Sequence, residues 1–178
     1  ARVLEAKPNA AHDALAALER RLEVEVGREL TLITQNVDGL HQTAGSRDVV
    51  ELHGNALRTR CTREGCRMTP FHDERSSFGR LPICAVCGSI LRPDVILFGE
   101  LLPPEAERRA MRALREADLF IAVGTSGTVT PAANFVRSAK HAGARTLLVN
   151  LDASDPPNPY FDEEVLGRAE ELLPQLLR

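Results

Sequence analysis

Four cysteines fall into two close pairs, Cys61 with Cys66 and Cys84 with Cys87. Four residues separate the first two, two separate the second two, and seventeen lie between the pairs. That spacing is close to the zinc-ribbon pattern. Four thiolates in tetrahedral array suit Zn²⁺, and a closed set leaves no open position for substrate or water. The expected role is therefore structural. Two disulfides would need an oxidising compartment, and no secretory segment is visible. Buried free thiols are a further alternative. A redox role for Cys84 and Cys87 would leave the other pair unexplained.

A second chemical cluster precedes the cysteines: Thr34-Gln35-Asn36-Val37-Asp38-Gly39-Leu40-His41, then Glu51-Leu52-His53-Gly54. A histidine at a strand end is suited to proton transfer near neutral pH. The plainer readings are an Asp-Gly turn at Asp38-Gly39 and a histidine that simply ends a strand. His12, His41, His72 and His141 read as structural or solvated, and Arg108, Arg109, Arg112 and Arg115 as a solvated helix face.

These groups need elements to hold them. Asn9 is a fitting N-cap for a helix with Leu15, Leu18 and Leu22 at helical spacing. Leu30–Thr34 and Val49–Leu52 are short β-rich runs, each stopping at one of the polar clusters. Val95–Phe98 is apolar and stops at Gly99-Glu100; a charged helix carrying Met111, Leu114 and Ala117 follows. Leu119–Val123 is continuously apolar, as a strand covered on both faces would be, and ends at Gly124-Thr125-Ser126-Gly127. A helix over Ala132–Ala142 leads to a strand at Thr146–Val149, which ends in Asn150-Leu151-Asp152. Pro156–Pro159 is a loop, and Pro174 suits the first turn of a last helix.

Strands alternating with helices predict an α/β fold, a doubly wound, Rossmann-like parallel sheet. Residues 60–91 lack that rhythm and read as a metal-stapled insert. The expected organisation is thus a main domain over 1–58 and 92–178 with a small zinc-ribbon module over 59–91. With 22 basic and 25 acidic residues and 4% aromatics, the chain does not read as a nucleic-acid or membrane-surface binder. No run approaches the roughly 18–20 apolar residues of a membrane span. A cytoplasmic monomer is the expectation.

In order along the chain, these pieces resemble the sirtuins, NAD-dependent protein-lysine deacylases. The matching segments are Pro8-Asn9-Ala10-Ala11-His12, Thr34–His41, His53-Gly54, the two cysteine pairs, Leu91-Arg92-Pro93, Phe98-Gly99-Glu100, Gly124-Thr125-Ser126 and Asn150-Leu151-Asp152. The Gly124–Gly127 and Pro131-Ala132-Ala133 version looks most like the bacterial-type branch, which includes desuccinylases and demalonylases.

The resemblance implies NAD and Zn²⁺ as cofactors and acylated lysine side chains of proteins as substrates. In such a reaction the acyl oxygen attacks the nicotinamide ribose and nicotinamide leaves. His53 would be the general base on the ribose hydroxyls, giving lysine and O-acyl-ADP-ribose. Asn36 would hold a water and the ribose, while Gln35, Val37 and Asp38 would form the nicotinamide side of the site. Gly124, Thr125 and Ser126 would lie against the adenosine ribose and phosphate. Asn150, Leu151 and Asp152 would meet the ribose hydroxyls, and Ala169 the adenine. Val95, Ile96, Phe98, Gly99 and Glu100 would form the substrate edge, with the Ile96 carbonyl accepting the substrate amide and Phe98 lining the acyl tunnel. Leu97 stands where many relatives carry an aromatic residue, a departure that bears on acyl preference.

A second departure is at the front. The family begins with a strand and a Gly-Ala-Gly-x-Ser phosphate loop, and nothing of that kind precedes Pro8. The expectation is an N-terminally incomplete deacylase. The alternative is a catalytically incomplete, zinc-stabilised module that binds acyl-peptide or ADP-ribose-like ligands.

Overall fold

The computed structural model describes residues 5–25, 27–73, 81–125 and 134–178. Helix α1 (Ala10–Leu22) starts at the expected cap: the Asn9 side chain accepts from the Ala11 and His12 amides, and His12 Nδ1 accepts from the Asn9 amide. Such caps stabilise a helix by about 1 kcal/mol. Strand β1 (Leu32–Thr34) leads through α2 (Leu40–Thr43) to β2 (Val49–Glu51), and the two strands pair in parallel. Buried Glu19 of α1 accepts from the Arg47 and Asp48 amides, fixing the entry into β2.

The next three strands form a separate antiparallel sheet: β3 (Gly54–Cys61) lies between β4 (Phe71–His72) and β5 (Leu91–Val95). Then α3 (Pro104–Glu116), β6 (Leu119–Val123), α4 (Phe135–Ala142), β7 (Arg145–Asn150), β8 (Glu163–Leu166) and α5 (Ala169–Leu176) complete the chain. Strands β6, β7 and β8 are parallel neighbours in that order.

Both faces of the parallel region are covered, which is the doubly wound arrangement. On one side Val50, Leu52 and Ile33 pack with Leu114, Phe135, Ala139 and Phe120. On the other, Val149, Leu147, Ile121 and Val123 pack with Ala11, Leu15, Leu172 and Leu173 from α1 and α5. Phe120 faces the first layer and Ile121 the second, the alternation a two-faced strand requires. Among the described residues the two parallel sheets share no strand pairing, yet Ile33 and Phe120 join one core.

Several elements differ from expectation. The run Val95–Phe98 is not a strand: β5 ends at Val95, and Leu97 and Phe98 stand out in solvent. Leu119 is also exposed, because β6 is the outer member of its three-stranded sheet. Pro174 lies inside α5 rather than in its first turn, so the helix lacks the bond its amide would make to Glu170. Ala132 and Ala133, expected to open α4, lie outside the described residues.

Candidate active site

Five parallel strands end in the residues singled out for chemistry. Gln35–Asp38 follow β1, His53 follows β2, Gly124-Thr125 follow β6, Asn150–Asp152 follow β7, and Ala169 follows β8. Open α/β sheets bind ligands beyond these carboxyl ends because successive loops there splay apart into a crevice.

The first group is built around His53. The Leu52 amide donates to the Thr34 carbonyl, extending the β1–β2 ladder to the position before the histidine. His53 Nδ1 lies 3.0 Å from the Gln35 carbonyl. A carbonyl can only accept, so Nδ1 carries the proton and Nε2 keeps the lone pair that can take another. The His53 carbonyl in turn accepts from the Ile96 amide at 2.9 Å. One residue thus touches both the turn after β1 and the segment after β5.

The turn after β1 is tightly bonded. The Asn36 amide donates to Thr34 Oγ1, the Leu40 amide to Asp38 Oδ1, and the Ala56 amide to the Val37 carbonyl at 2.7 Å. Asn36 is exposed, while Gln35, Val37 and Asp38 are half-buried. Behind them His41 packs on His12 with ring centroids 4.8 Å apart. Burial, then the neighbouring His12, pushes the His41 pKa down, against the pull of Asp38.

Gly54 determines how close β3 and β5 come beside His53. Its φ is +78°, and a Cβ there would lie 2.1 Å from the Asp94 carbonyl oxygen. No side chain fits.

After β5 the chain folds into a turn: the Glu100 amide donates to the Leu97 carbonyl at 3.0 Å. Gly99 has φ +87° at the third position, as a type II turn demands, and fully exposed Phe98 occupies the corner. Glu100 folds back onto Arg92, whose guanidinium holds its carboxyl down at about 2, aided by the Leu97 amide.

The second group is a cleft of about 350 Å³ lined by Gly124, Val149, Asn150, Leu151 and Gly167–Glu170. The Gly124 amide donates to Val149 and the Gly167 amide to Asn150, which brings the three strand ends together. Asp152 lies beyond the lining, and Ser126 lies outside the described residues. Gly167, Arg168 and Glu170 join Ala169 in the lining. The signal for them was present in the sequence, since Leu166-Gly167 repeats the strand-then-glycine stop seen at Val123-Gly124.

The cysteines converge. All four sulfurs lie within 4.8 Å of one another, with Cys61–Cys87 at 3.5 Å and Cys66–Cys84 at 3.7 Å. A tetrahedron with Zn–S bonds of about 2.3 Å has edges of about 3.8 Å, so the donor set fits zinc. Hydrogen bonds from the Ser89 side chain and backbone hold the Cys87 thiol down at about 6, while burial and the other sulfurs push Cys61 up to about 12.

The chain matches the Sir2 family model over residues 1–131. It belongs to the Sir2 family. Among sirtuin relatives, it is 44% identical to an NAD-dependent protein deacylase of Thermococcus kodakarensis, with 99% of this chain and 68% of that protein aligned. A deacylase of Thermus thermophilus is 52% identical over 84% of this chain and 57% of its own length. A crystal structure of a Sir2 homolog–NAD complex superposes with a TM-score of 0.87 at 43% identity, covering 99% of this chain and 66% of that one. A Sir2 bound to acetylated peptide gives 0.85 at 34% identity, covering 99% and 72%. This sirtuin chain thus spans about two thirds of such relatives. Among its described residues no helix is long and apolar enough to cross a membrane.

Proposed function

We propose that this sirtuin chain carries the substrate-facing and proton-transfer parts of an NAD-dependent protein-lysine deacylase. The observation that carries this reading is the double attachment of His53: its ring is oriented by the Gln35 carbonyl and its own carbonyl holds the Ile96 amide. A base fixed in this way faces the cofactor turn on one side and the substrate turn on the other. Relatives named as NAD-dependent deacylases and a neighbour bound to acetylated peptide support the same chemistry.

In this reading Nε2 of His53 removes the proton from a ribose hydroxyl, and the Gln35 carbonyl stabilises the ring as it becomes positively charged. Asn36, exposed beside it, holds the water and ribose; Val37 and Asp38 take the nicotinamide carboxamide. The cleft at Gly124, Thr125, Asn150, Leu151 and Ala169 takes the adenosine end, with Ser126 and Asp152 at its margin. Val95, Ile96, Phe98 and Gly99 receive an extended acyl-lysine peptide through main-chain bonds, which give affinity with little sequence preference. Cys61, Cys66, Cys84 and Cys87 hold Zn²⁺, which supplies fold rather than chemistry because the ligand set is closed. We divide the chain into 1–58 with 92–178 and a zinc module at 59–91, rooted by β3 and β5 as they continue out of the main body. Ligating thiols suit a reducing compartment, and we place the protein in the cytoplasm as a monomer.

The test is deacylated peptide formed from NAD with acetyl- and succinyl-lysine peptides. His53→Ala should lower turnover by about 10²–10⁴-fold, the usual contribution of a positioned base. A folded, zinc-loaded chain with no turnover, or a His53→Ala variant as fast as the parent, would sink the reading.

A further inference from the structure

The turn at Leu97–Glu100 has few packing contacts of its own: Leu97, Phe98 and Leu101 are all exposed. Exposed apolar residues on a short turn do not hold a shape by burial, so something polar must hold this one. Besides the Glu100 amide bond to the Leu97 carbonyl, three such contacts converge on one oxygen. Glu100 Oε2 accepts from Arg92 Nη2 at 2.8 Å and from the Leu97 amide at 3.0 Å, and pairs with Arg60 Nη2 at 3.8 Å. Arg92 and Arg60 face each other across the β3–β5 ladder, directly next to the Cys61–Leu91 pair. The same Arg92 nitrogen reaches the Val95 carbonyl, at the end of β5. The turn is therefore tied at its start through the Ile96 amide to His53 and at its close through Glu100 to the metal-bearing ladder.

We propose that Glu100 is a positioning residue for the deacylation reaction. Its carboxylate, locked by Arg92, holds the turn that receives the acyl-lysine peptide at a fixed distance from His53, and it acts through the turn rather than on the substrate. This rests on the deacylase reading of the site. Because the preformed turn removes an ordering cost from peptide binding, its loss falls on peptide affinity and leaves proton transfer nearly intact.

Two readouts test it on the zinc-loaded protein. In steady-state kinetics, Glu100→Gln should raise KM for the acyl-lysine peptide about tenfold, the size expected for losing a hydrogen bond to a charged group, with KM for NAD unchanged. The change in kcat should stay within about twofold. In limited proteolysis, chymotrypsin should cut after Phe98 several-fold faster in Glu100→Gln than in the parent. Arg92→Met should reproduce both effects, and the double variant should be no worse than either single, as members of one interaction are. Arg112→Met, which removes a surface pair on α3, should do neither. Parent-like KM and cleavage in Glu100→Gln would overturn the proposal, as would a fall in kcat at constant KM. If the parent itself turns over no acyl-peptide, the deacylase reading fails separately, and with it the catalytic use of the turn. The proteolysis arm still decides whether Glu100 holds it.

Discussion

The β4–β3–β5 sheet and the β6–β7–β8 sheet are built on different principles. In the parallel sheet Val149, Leu148 and Thr146 are almost wholly buried, and helices lie on both faces. In the antiparallel one Leu91 is buried, but the cysteine-bearing segment just before β5 leaves Leu81, Ile83, Val86 and Ile90 exposed and buries Cys84. Its shape rests on four sulfurs and on ion pairs: Arg58 with Glu51 and Asp94, Arg60 with Asp94, Arg92 with Glu100. Burial is roughly proportional to area and tolerates small displacements, whereas ligation and charge pairing act at points and fail when geometry is lost. The parallel sheet offers a scaffold; the antiparallel one offers exact placement of a loop.

Removing the metal should separate the two regions most completely. Structural zinc contributes roughly 10–16 kcal/mol in small metal-folded units. Cys84→Ser or a chelator is expected to abolish zinc binding and hydrogen-exchange protection in β3, β4 and β5, while amides of β7 stay protected. Loss of protection in both sheets together would mean that they are one cooperative unit.

Cavities in the parallel region should do the converse. Leu114→Ala and Leu173→Ala each empty a site that is 1% exposed, at an expected cost of about 2–5 kcal/mol. Denaturant melts should show that loss at unchanged zinc stoichiometry. A drop in bound zinc would show that the core is needed to hold the hairpin closed.

Acid titration gives the finest contrast. In the parallel region a hydrogen bond from Lys140, then those from Thr146, hold Asp162 down at about 2, from an ordinary 3.8. A lowered carboxylate contributes stability that is complete above its unfolded value and is lost as pH falls toward its folded one. Asp162→Asn should therefore lower the melting temperature by a few degrees at pH 7, and the difference should close between about pH 4 and pH 2. The metal-held sheet should fail earlier in the same titration, because protons compete for thiolates at milder acidity. A parent-to-variant difference that persists at pH 2 would show that Asp162 acts by shape and not by charge.

Much of this was legible before the fold. Strand stops at Thr34-Gln35, Val123-Gly124 and Asn150-Leu151 announced themselves because an apolar run ending in polar or small residues is a local signal. The cysteine pairs were legible for the same reason. What stayed hidden depends on partners far away in the chain. Strand β3 carries Arg58 and Arg60, whose acceptors Asp94 and Glu100 lie more than thirty residues on, so its local composition does not mark it as a strand. Val95–Phe98 read as a strand by composition, but Gly99 and the Glu100–Leu97 bond turn it outward. Strand β8 begins with Glu163-Glu164, and only its pairing with Leu147 and Leu148 reveals it. Gly167, Arg168 and Glu170 were missed although the Leu166-Gly167 stop was there to read, because that the stop lines a cleft depends on the neighbouring strand ends.

Strand β3 also sets a rule about chain length. It begins beside His53 and ends on Cys61, with its register shift between Asn55 and Thr59 already used. A residue added or removed within it would turn every later side chain to the opposite face, carrying the first sulfur away from the other three. The span from base to first ligand can therefore drift in spelling but not in count.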